Sequence, residues 1–523
     1  MPPFFLKTYP ALLSFLAAIA LYGNSLDNSF AWDDHYLIVN NPGVQNLENV
    51  AEGFFSPWAA DSAVEGGRSQ NSVYWRPVTQ LTYALDWSLG EGSPQIFHLT
   101  NTLLHGLNSA LVALLMGLLW PGFSRDASRA GLGALIAGLL FAVHPVHTEA
   151  IHLITYRTTL LATAGGLASL VLFYKNHKLL ALIPLLLGLL SKEEAIVTPA
   201  VIFLLDWGQG VTPSSWKGRI RRYLPMIGLS LGYLAIHQSI TTGATLNFFA
   251  GQAADTVVFT MAKVLWLDAR LMLMPWPLTP FYDWSIFPYA HHPFHLEVAL
   301  GFGIALLFLA PGLRSIIRKE TPSPWATLSL VFLATLLPYS HIVPFFDVAG
   351  ERFLYFPSMA FCLAGGLFAS STLNSQKRAL KIPVGVCIAV LMVTFSWKTW
   401  ERGPDFRNTR TLLEATQEDF PNSYFTAFEL GRTELKSHNL GAAELQFRRA
   451  MKILPLEVAA LCTAESIRRQ GKMEHLRRFL DENALNHAGL PHPEINRIRV
   501  AWGSGKPPTS IRCDEGNMLE TSP

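Results

Sequence analysis

The stretch AWDDHYLIVNNP, residues 31–42, follows directly on the first hydrophobic segment of the chain and contains two adjacent carboxylates, Asp33 and Asp34. Side chains at a membrane boundary usually contact lipid or headgroups, and a pair of acids suits neither. Ionisable groups in and beside membrane segments are rare and are usually functional. We therefore expect the rest of the chain to be built over this loop, with the two acids as candidate catalytic groups.

The composition predicts a protein with many membrane-spanning helices. Of the 523 residues, 50% are hydrophobic and only 15% are charged, whereas about 25% charged residues is usual for a soluble protein. The net charge is +2 and no long basic run occurs, which argues against nucleic acid as a partner. The four cysteines form no Cys-x-x-Cys pair, so neither a metal cage nor a disulfide framework is indicated.

The apolar segments predict about eleven helices that cross the lipid bilayer. Lys and Arg concentrate in alternate connections, and the excess of positive charge in cytoplasmic loops sets the orientation. The topology that fits this charge distribution has the amino terminus inside and the carboxyl terminus outside. In this topology, residues 256–274 form an interfacial or re-entrant helix. The apolar segments lie near residues 9–26, 97–120, 131–149, 153–174, 179–191, 195–207, 223–241, 297–313, 325–340, 352–372 and 382–399.

Two local features refine this topology. The basic groups before and after SKEE, residues 191–194, are expected on the cytoplasmic side of the membrane. The chain must then cross twice between them, so it is expected to reverse at SKEE, at the outer face. The first apolar segment could instead be a signal peptide, but it is long and lacks a small-x-small cleavage site.

Residues 1–400 are expected to form the membrane domain. Its first outer loop, 27–96, contains the acid pair and a predicted surface helix at 46–58, which combines the aromatic residues Phe54, Phe55 and Trp58 with acids. A second outer segment, 275–296, is rich in Pro, Trp, Tyr and His and is expected to pack irregularly over the domain.

The remainder of the chain is more polar. Residues 401–490 have helical periodicity, and Pro421 recurs as Pro455 at the 34-residue spacing of a tetratricopeptide repeat. One repeat is too few to stand alone, so we expect it to pack on the outer loops or on a helix at 408–420. An ordinary helical hairpin is the alternative. Residues 491–523 lack a pattern and are expected to be disordered.

The ionisable residues predicted on the outer face form the candidate site. Basic residues on the cytoplasmic side are explained by orientation alone, but these acids and cations come from separated parts of the chain and meet at one membrane depth. Such a convergence is more typical of an active site than of scattered loop charges. The residues are Asp33, Asp34, Arg76, His144, His147, Glu149, His152, Arg157, Lys192, Glu193, Glu194, Asp347, Glu351 and Arg352.

These groups suit the transfer of a sugar from a lipid-phosphate donor. The phosphate is a good leaving group, so the reaction needs no general acid. It needs a carboxylate that takes the proton of the acceptor hydroxyl, and Asp33 or Asp34 is the predicted base. It also needs positive charge around the phosphate, for which arginine is well suited. The predicted phosphate ligands are Arg76, Arg157, Lys192 and Arg352.

Structural interpretations compete with these roles. The acid pair could be solvated or could cap the following helix. Arg76 could lie against the neighbouring Trp75, and Lys192 could form an internal ion pair with Glu193.

A metal site is a further alternative. His144, His147 and Glu149 have a spacing that could bind a divalent ion, although Pro145 interrupts the helix between them. No metal and no other cofactor is predicted for the leading function.

Several blocks of the sequence resemble one known family. FAVHPVHTEAI (141–151) with Arg157 shortly after it, LSKEEAIV (190–197), ERFLYFPSM (351–359) and the acid pair are similar to motifs of the transmembrane O-mannosyltransferases with tetratricopeptide repeats. The similarity runs from about residue 30 to 490 in the same order. It implies the C-type glycosyltransferase superfold, a dolichyl- or polyprenyl-phosphate sugar donor and an inverting single displacement.

The resemblance also implies residue roles. The catalytic acids fall on Asp33 and Asp34, the first being favoured as the base. Lys192 and Arg352 fall in the family's Lys-Glu and Glu-Arg motifs. Residues expected to position substrate are His144, His147, Glu149, Glu193 and Glu351.

The sequence therefore predicts an all-α polytopic enzyme of the plasma membrane, with mannose as the expected sugar and an extracytoplasmic protein or envelope glycan as acceptor. The short repeat region departs from the long arrays of eukaryotic members, which weakens the case for a folded protein acceptor and favours a relative in the bacterial inner membrane. A lipid-linked-sugar transporter or a repeat-bearing scaffold would lack chemistry, and a transporter would need charged groups on both faces. A metal-dependent ligase that uses a diphosphate donor is the third hypothesis.

Overall fold

The computed structural model describes residues 5–58, 74–124, 129–241, 247–373, 378–483, 492–503, 508–511 and 513. These residues form helices, turns and irregular segments, with no β-strand among them. Residues 59–73 of the first outer loop and residues 514–523 of the tail expected to be disordered lie outside the described part.

The chain divides into two compact units. The first contains the described residues up to 280 and those from 289 to 407, and the second contains 281–288 and the residues from 408 onwards. The helices of the first unit are α1 (Phe5–Tyr22), α2 (Pro42–Gln45), α3 (Leu47–Gly53), α4 (Pro77–Gly90), α5 (Pro94–Phe123), α6 (Ala130–Val143), α7 (Thr148–His152), α8 (Arg157–Tyr174), α9 (Leu182–Leu189), α10 (Thr198–Gly208), α11 (Trp216–Ile240), α12 (Ala254–Leu273), α13 (Leu296–Arg318), α14 (Pro324–Leu336), α15 (Ser358–Leu373) and α16 (Arg378–Arg402).

Helices α1, α5 and α6 pack on one another at the centre of the first unit. Helix α15 packs on α6, and α8 packs between α5 and α9. A Cβ atom added to Gly165 would lie 2.6 Å from Cα of Gly188. Helices α8 and α9 therefore approach so closely because glycine occupies the contact, as is common between membrane helices.

Within the described part of the chain, five helical segments are long and apolar enough to cross a membrane, which indicates a membrane protein. A sixth span results if α6 and the segment Pro145–His152 are counted together, since they are joined at a bend of 49°. Pro145 explains this bend because proline cannot continue the hydrogen bonding of a helix. The larger number of about eleven spans includes shorter or more polar helices and stays a prediction, as does the interfacial position of α12. The five segments are Tyr9–Asp27, Pro94–Phe123, Ile154–Tyr174, Leu296–Arg318 and Ala379–Phe406.

The loop after α1 is ordered by two asparagine caps. The side chain of Asn41 accepts a hydrogen bond from the N–H of Gly43 at 3.0 Å, and that of Asn46 accepts one from the N–H of Glu48 at 2.9 Å. These bonds satisfy orphan donors at the starts of α2 and α3. The helix predicted within 46–58 is present as α3.

The second unit is built from helix pairs. Its helices are α17 (Thr409–Asp419), α18 (Tyr424–Lys436), α19 (Leu440–Ile453), α20 (Glu457–Arg469), α21 (Met473–Glu482) and α22 (Pro493–Gly503). Phe447 of α19 is buried and fills the space that the missing side chain of Gly431 leaves on α18. The assignment of these pairs as tetratricopeptide repeats stays a prediction.

The segment 281–288 caps α18. The Asp283 carboxylate accepts hydrogen bonds from the Ser423 hydroxyl at 2.5 Å and from the Phe425 N–H at 3.2 Å. Helix α17 packs on α18 as well. The helix pairs therefore contact the segment 281–288 and the helix within 408–420, and the outer position of that segment stays a prediction.

Two expectations about the end of the chain are wrong. Residues 493–503, expected to be disordered, form α22, because Ile495 is buried in a core with Leu476 and Phe479. Cys513 forms a disulfide with Cys462 of α20, although the cysteine spacing gave no sign of one. These contacts join residues near the end of the chain to the helix pairs. Local sequence patterns could not predict them, because the partners are far apart in sequence.

Candidate active site

Asp34 is completely buried and bonded to the backbone on both oxygens. Its Oδ2 accepts the Ala31 N–H at 3.0 Å, and its Oδ1 accepts the Thr155 N–H at 2.8 Å. Burial raises the pKa of Asp34 to about 7, against the lowering effect of these two bonds. The residue therefore ties the first loop to the short helical turn Ile154–Tyr156 that precedes α8.

Asp33 is next to Asp34 in the sequence but is only partly buried. The preceding residue, Trp32, has a left-handed backbone with φ 53°, a conformation that non-glycine residues adopt rarely and that occurs often at functional sites. Its neighbour Asp34 is bonded to Thr155, the residue before Tyr156, and the charge of Asp33 acts on the Tyr156 hydroxyl. Asp33 is thus the member of the acid pair that a substrate can approach.

Arg76 forms a two-point ion pair with Glu193. The Arg76 Nη2 lies 3.0 Å from Glu193 Oε2, and its guanidinium lies 4.4 Å from the centre of the Tyr74 ring. His237 lies 3.5 Å from the same carboxylate. Burial would raise the pKa of Glu193, but the charge of Arg76 and the bonds from His237 and Arg76 hold it well below its usual range.

Lys192 has different partners from the adjacent Glu193. Its ammonium donates hydrogen bonds to Thr159 at 2.6 Å and to the Tyr339 hydroxyl at 3.0 Å, and lies 2.9 Å from Glu194. The alternative in which Lys192 pairs with Glu193 is wrong, since Glu193 begins a 3-10 turn and faces Arg76 instead. Burial lowers the pKa of Lys192, and Arg76 and Arg352 add to this effect against the opposing charge of Glu194.

Arg352 is bonded to two carboxylates. Glu149 accepts its backbone N–H at 2.7 Å and also bonds to its Nη1, while Asp347 Oδ2 lies 2.5 Å from its Nη2. The guanidinium lies over the ring of Tyr156 at 4.5 Å. Arg352 and Asp33 therefore share Tyr156 as a neighbour.

Phe353 links two of the cations. Its ring centre lies 4.6 Å from the guanidinium of Arg352 and 5.9 Å from the ammonium of Lys192. Arg76 is paired at 3.0 Å with Glu193, the residue that follows Lys192 in the chain. Three of the four predicted phosphate ligands thus converge, and we name Arg76, Lys192 and Arg352 the cation cluster.

Arg157 does not belong to this cluster, which corrects its predicted role. It is fully buried, lies 2.5 Å from Asp86, and donates to Asn101 at 2.7 Å. Its other nitrogens donate to the Phe97 carbonyl at 2.9 Å and to Thr82 at 3.3 Å. All of its nitrogens are therefore used in joining α4, α5 and α8, and phosphate cannot reach them.

The histidines also have structural partners. The Nε2 of His144 bonds to the Met272 carbonyl at 3.1 Å, and the two ring nitrogens of His147 bond to the Phe141 carbonyl at 2.9 Å and to Ser358 at 2.8 Å. Both histidines are completely buried. They position helix ends rather than substrate, which corrects their predicted role.

Glu149 and Glu351 are likewise buried ion-pair partners. Glu149 is held by Arg352, and Glu351 Oε2 lies 3.1 Å from Nη2 of Arg402. Substrate positioning by direct contact is therefore excluded for both. Among the described residues, no group of three His, Cys, Asp or Glu side chains is arranged to hold a metal ion.

The accessible part of the site is smaller than the predicted set. The exposed fractions of the side chains are 38% for Asp347, 32% for Glu193, 14% for Arg76, 11% for Lys192 and 7% for Arg352. Each cation is therefore paired with at least one acid, and only a small part of its side chain is accessible to solvent. Together with Asp33, these residues form the candidate active site.

Curated proteins similar to this chain are named protein O-mannosyl-transferases. One from Caenorhabditis elegans is 26% identical over 84% of this chain and 62% of its own length. From Mus musculus, protein O-mannosyl-transferase TMTC3 is 25% identical over 84% of this chain and 50% of its own length. Protein O-mannosyl-transferase TMTC4 of the same organism is 27% identical over 86% and 66%, respectively. The resemblance in the sequence blocks is confirmed.

This chain spans about half to two thirds of the length of these relatives. No family model matches it, and no solved structure matches it. The similarity therefore covers most of this chain but not the whole of the relatives.

Sequence reasoning missed the partners that decide each role. Asp86 and Asn101 were signals for Arg157, because a carboxylate and an amide in apolar segments need a buried partner. Tyr156 and Phe353 were missed because aromatic residues are common throughout the chain. Only the folded structure places them beside Arg352.

Proposed function

We propose that the protein transfers a hexose, with mannose as the expected sugar, from a polyprenyl-phosphate donor to a hydroxyl of an extracytoplasmic protein. The observation that supports this most directly is the position of Tyr156, which lies under Arg352 of the cation cluster and next to Asp33. A cation that can hold a phosphate thus lies over the Tyr156 ring, and an acid that can accept a proton acts electrostatically on the same residue. The names of the similar proteins support the same activity.

In the proposed reaction, Asp33 removes the proton of the acceptor hydroxyl as its oxygen attacks the anomeric carbon of the sugar. A new carbon–oxygen bond forms, and the bond from the anomeric carbon to the phosphate oxygen breaks with its electron pair. The polyprenyl phosphate leaves with one more negative charge, and the configuration of the sugar inverts. No general acid is needed, because the leaving phosphate is stable as an anion.

The cation cluster stabilises the charge that develops on the leaving phosphate. Arg352 and Arg76 offer planar donors that fit phosphate oxygens, whereas Lys192 acts as a single charge. Their carboxylate partners and the neighbouring aromatic rings fix the orientation of these cations before the donor binds. Such preorganisation is the main source of electrostatic catalysis.

The same proposal places the first loop and the second unit outside the cytoplasm, in a multi-pass protein of a bacterial inner membrane. The distribution of Lys and Arg favours this orientation. The disulfide between Cys462 and Cys513 supports it, because disulfides persist in oxidising compartments.

The test uses the purified full chain in lipid nanodiscs, polyprenyl-phosphate mannose with a radiolabelled sugar, and peptides with Ser or Thr. The expected result is label on the peptide, lost in Asp33→Asn and kept in Glu297→Gln, which removes an acid paired only with Lys263 at 3.6 Å among the described contacts. Binding without turnover over many acceptors would favour a transporter or scaffold. Loss of activity with EDTA and its return with a divalent ion would favour the metal-dependent hypothesis.

A further inference from the structure

Arg352 differs from the other cations of the cluster in its number of carboxylate partners. Arg76 pairs with Glu193 and Lys192 pairs with Glu194, one acid for each cation. Arg352 is bonded to Glu149 and to Asp347 at once. One carboxylate is enough to balance the single positive charge of Arg352, so the second is not needed for neutralisation.

The two acids of Arg352 are held very differently. Glu149 is completely buried on α7 and accepts both a side-chain and the backbone N–H of Arg352. Removing it would leave Arg352 as a buried, uncompensated charge, which is strongly destabilising. Asp347 bonds to one nitrogen only, Nη2, and 38% of its side chain is exposed. Asp347 can therefore leave at a lower free-energy cost.

The chain around Asp347 is suited to such a movement. Residues 341–350 have no helical structure and connect the turn Leu337–Tyr339 to the turn Glu351–Leu354. Within the segment, His341 Nε2 bonds to the Asp347 carbonyl at 3.1 Å, and the Phe248 N–H attaches the segment to another part of the chain through the Phe345 carbonyl at 3.0 Å. Both bonds use the backbone, so the Asp347 side chain can rotate away without breaking them.

The carboxylate of Asp347 also has the chemistry of the ligand that we expect at this place. Its oxygen lies 2.5 Å from a guanidinium nitrogen, where a phosphate oxygen would bind. A phosphodiester has one negative charge, as a carboxylate does. Replacing one by the other leaves the charge around Arg352 unchanged.

We propose that Asp347 occupies the phosphate subsite of Arg352 in the absence of donor and exchanges with the phosphate of a lipid-linked substrate. The inference rests on the proposed function and adds a residue that controls donor affinity and product release. The phosphate displaces Asp347 when the donor binds. After transfer, the returning carboxylate competes with the polyprenyl phosphate product and expels it from Arg352.

The exchange is tested by binding of polyprenyl phosphate without a sugar, and of inorganic phosphate, to the full chain in nanodiscs. Asp347→Asn keeps the size of the side chain but removes the competing charge. It is expected to bind polyprenyl phosphate about tenfold more tightly than the wild type, a difference of roughly 1.4 kcal/mol. In sugar transfer it is expected to lower the donor KM and kcat together, because the product leaves more slowly.

The matched control is Glu297→Gln, which removes one acid that pairs with Lys263 and not with Arg352. It is expected to bind both probes as the wild type does. Thermal unfolding of each variant shows whether Asp347→Asn is folded, and Asp347→Ser provides a second variant without the carboxylate.

The outcomes separate this inference from the proposed function. If polyprenyl phosphate binds to the wild type and equally or more weakly to both Asp347 variants, the exchange is overturned and the proposed function stands. If polyprenyl phosphate binds to none of the proteins, both the exchange and the proposed function are overturned. If removal of Asp347 tightens inorganic phosphate alone, the subsite takes free phosphate and the assignment to a lipid-linked substrate is overturned.

Discussion

The carboxylate of Asp34 accepts the backbone N–H of Thr155 at 2.8 Å, across 121 residues of sequence. This bond fixes the loop after α1 to the turn that begins α8. It also gives the two adjacent acids different functions, because Asp34 is enclosed by backbone donors whereas Asp33 stays approachable beside Tyr156. The question of which acid is the base, open in the sequence, thus has a structural answer that can be tested.

Asp34→Asn is expected to reduce stability more than activity per folded molecule. An asparagine side chain can accept only one of the two backbone N–H groups, so one buried donor is left without a partner. The expected loss is about 1–3 kcal/mol, measured as the change in thermal or denaturant unfolding in detergent. Asp33→Asn is expected to unfold like the wild type and to lose sugar transfer. The reverse pattern would make Asp34 the base.

Stability is expected to depend on pH through Asp34. Burial raises its pKa from an ordinary value of 3.8 to about 7. Since the folded protein binds this proton more tightly, the contribution to stability is full below pH 3.8 and is lost as pH rises through 7. The melting temperature of the wild type should therefore fall over this range more steeply than that of Asp34→Asn. Equal slopes would show that Asp34 does not titrate there.

Breaking the ion pair of Arg157 is expected to affect folding and not donor binding. In Asp86→Asn, Arg157 loses the carboxylate 2.5 Å away and remains as a buried charge. The loss of such a partner costs about 3–5 kcal/mol, measured by unfolding. The folded fraction should keep the wild-type KM for the donor.

Arg76→Gln provides the contrast to that variant. Its pair with Glu193 is partly accessible, with 14% and 32% of the side chains exposed, whereas the pair of Arg157 with Asp86 is enclosed. We therefore expect a raised donor KM with a smaller loss of stability than in Asp86→Asn. A normal KM would remove Arg76 from the phosphate ligands.

The parts of the structure that the sequence predicts correctly are those that local rules govern. The break at Pro145 and the interruption of the helix at SKEE follow from the limits of a helix and from charge placement, whereas the reversal at the outer face stays a prediction. The approach of Arg76, Lys192 and Arg352 to one another agrees with their assignment to one membrane level, and that level itself stays a prediction. The burial of Asp34 beside a partly buried Asp33 follows from neither rule alone.

The choice of partner could not be predicted. Glu193 and Glu194 are adjacent and chemically alike, yet one faces Arg76 and the other Lys192, because a 3-10 turn rotates successive side chains apart. In the same way Arg157 and Arg352 both lie near predicted helix ends. Only the packing of α4 and α5 around Arg157 shows that its charge is used within the fold.

Removal of the disulfide is expected to loosen the second unit alone. The bond joins residues 51 apart and holds Ile511 in the core that contains Ile495 and Phe479. A loop of this length contributes about 2–4 kcal/mol through the entropy of the unfolded chain. Cys513→Ser should therefore increase proteolysis and hydrogen exchange in α20 to α22. The first unit should keep its melting temperature.

Cys387→Ser is the matched control, since Cys387 is a free, exposed cysteine on α16. It is expected to leave both units unchanged. Labelling intact cells with a membrane-impermeant thiol reagent tests the compartment at the same time. In the proposed orientation, Cys462 becomes reactive from outside in Cys513→Ser after mild unfolding, and only after reduction in the wild type. Labelling of Cys462 in both proteins without reduction, and only after the cells are permeabilised, would show that the second unit lies inside and that the disulfide does not form in the cell.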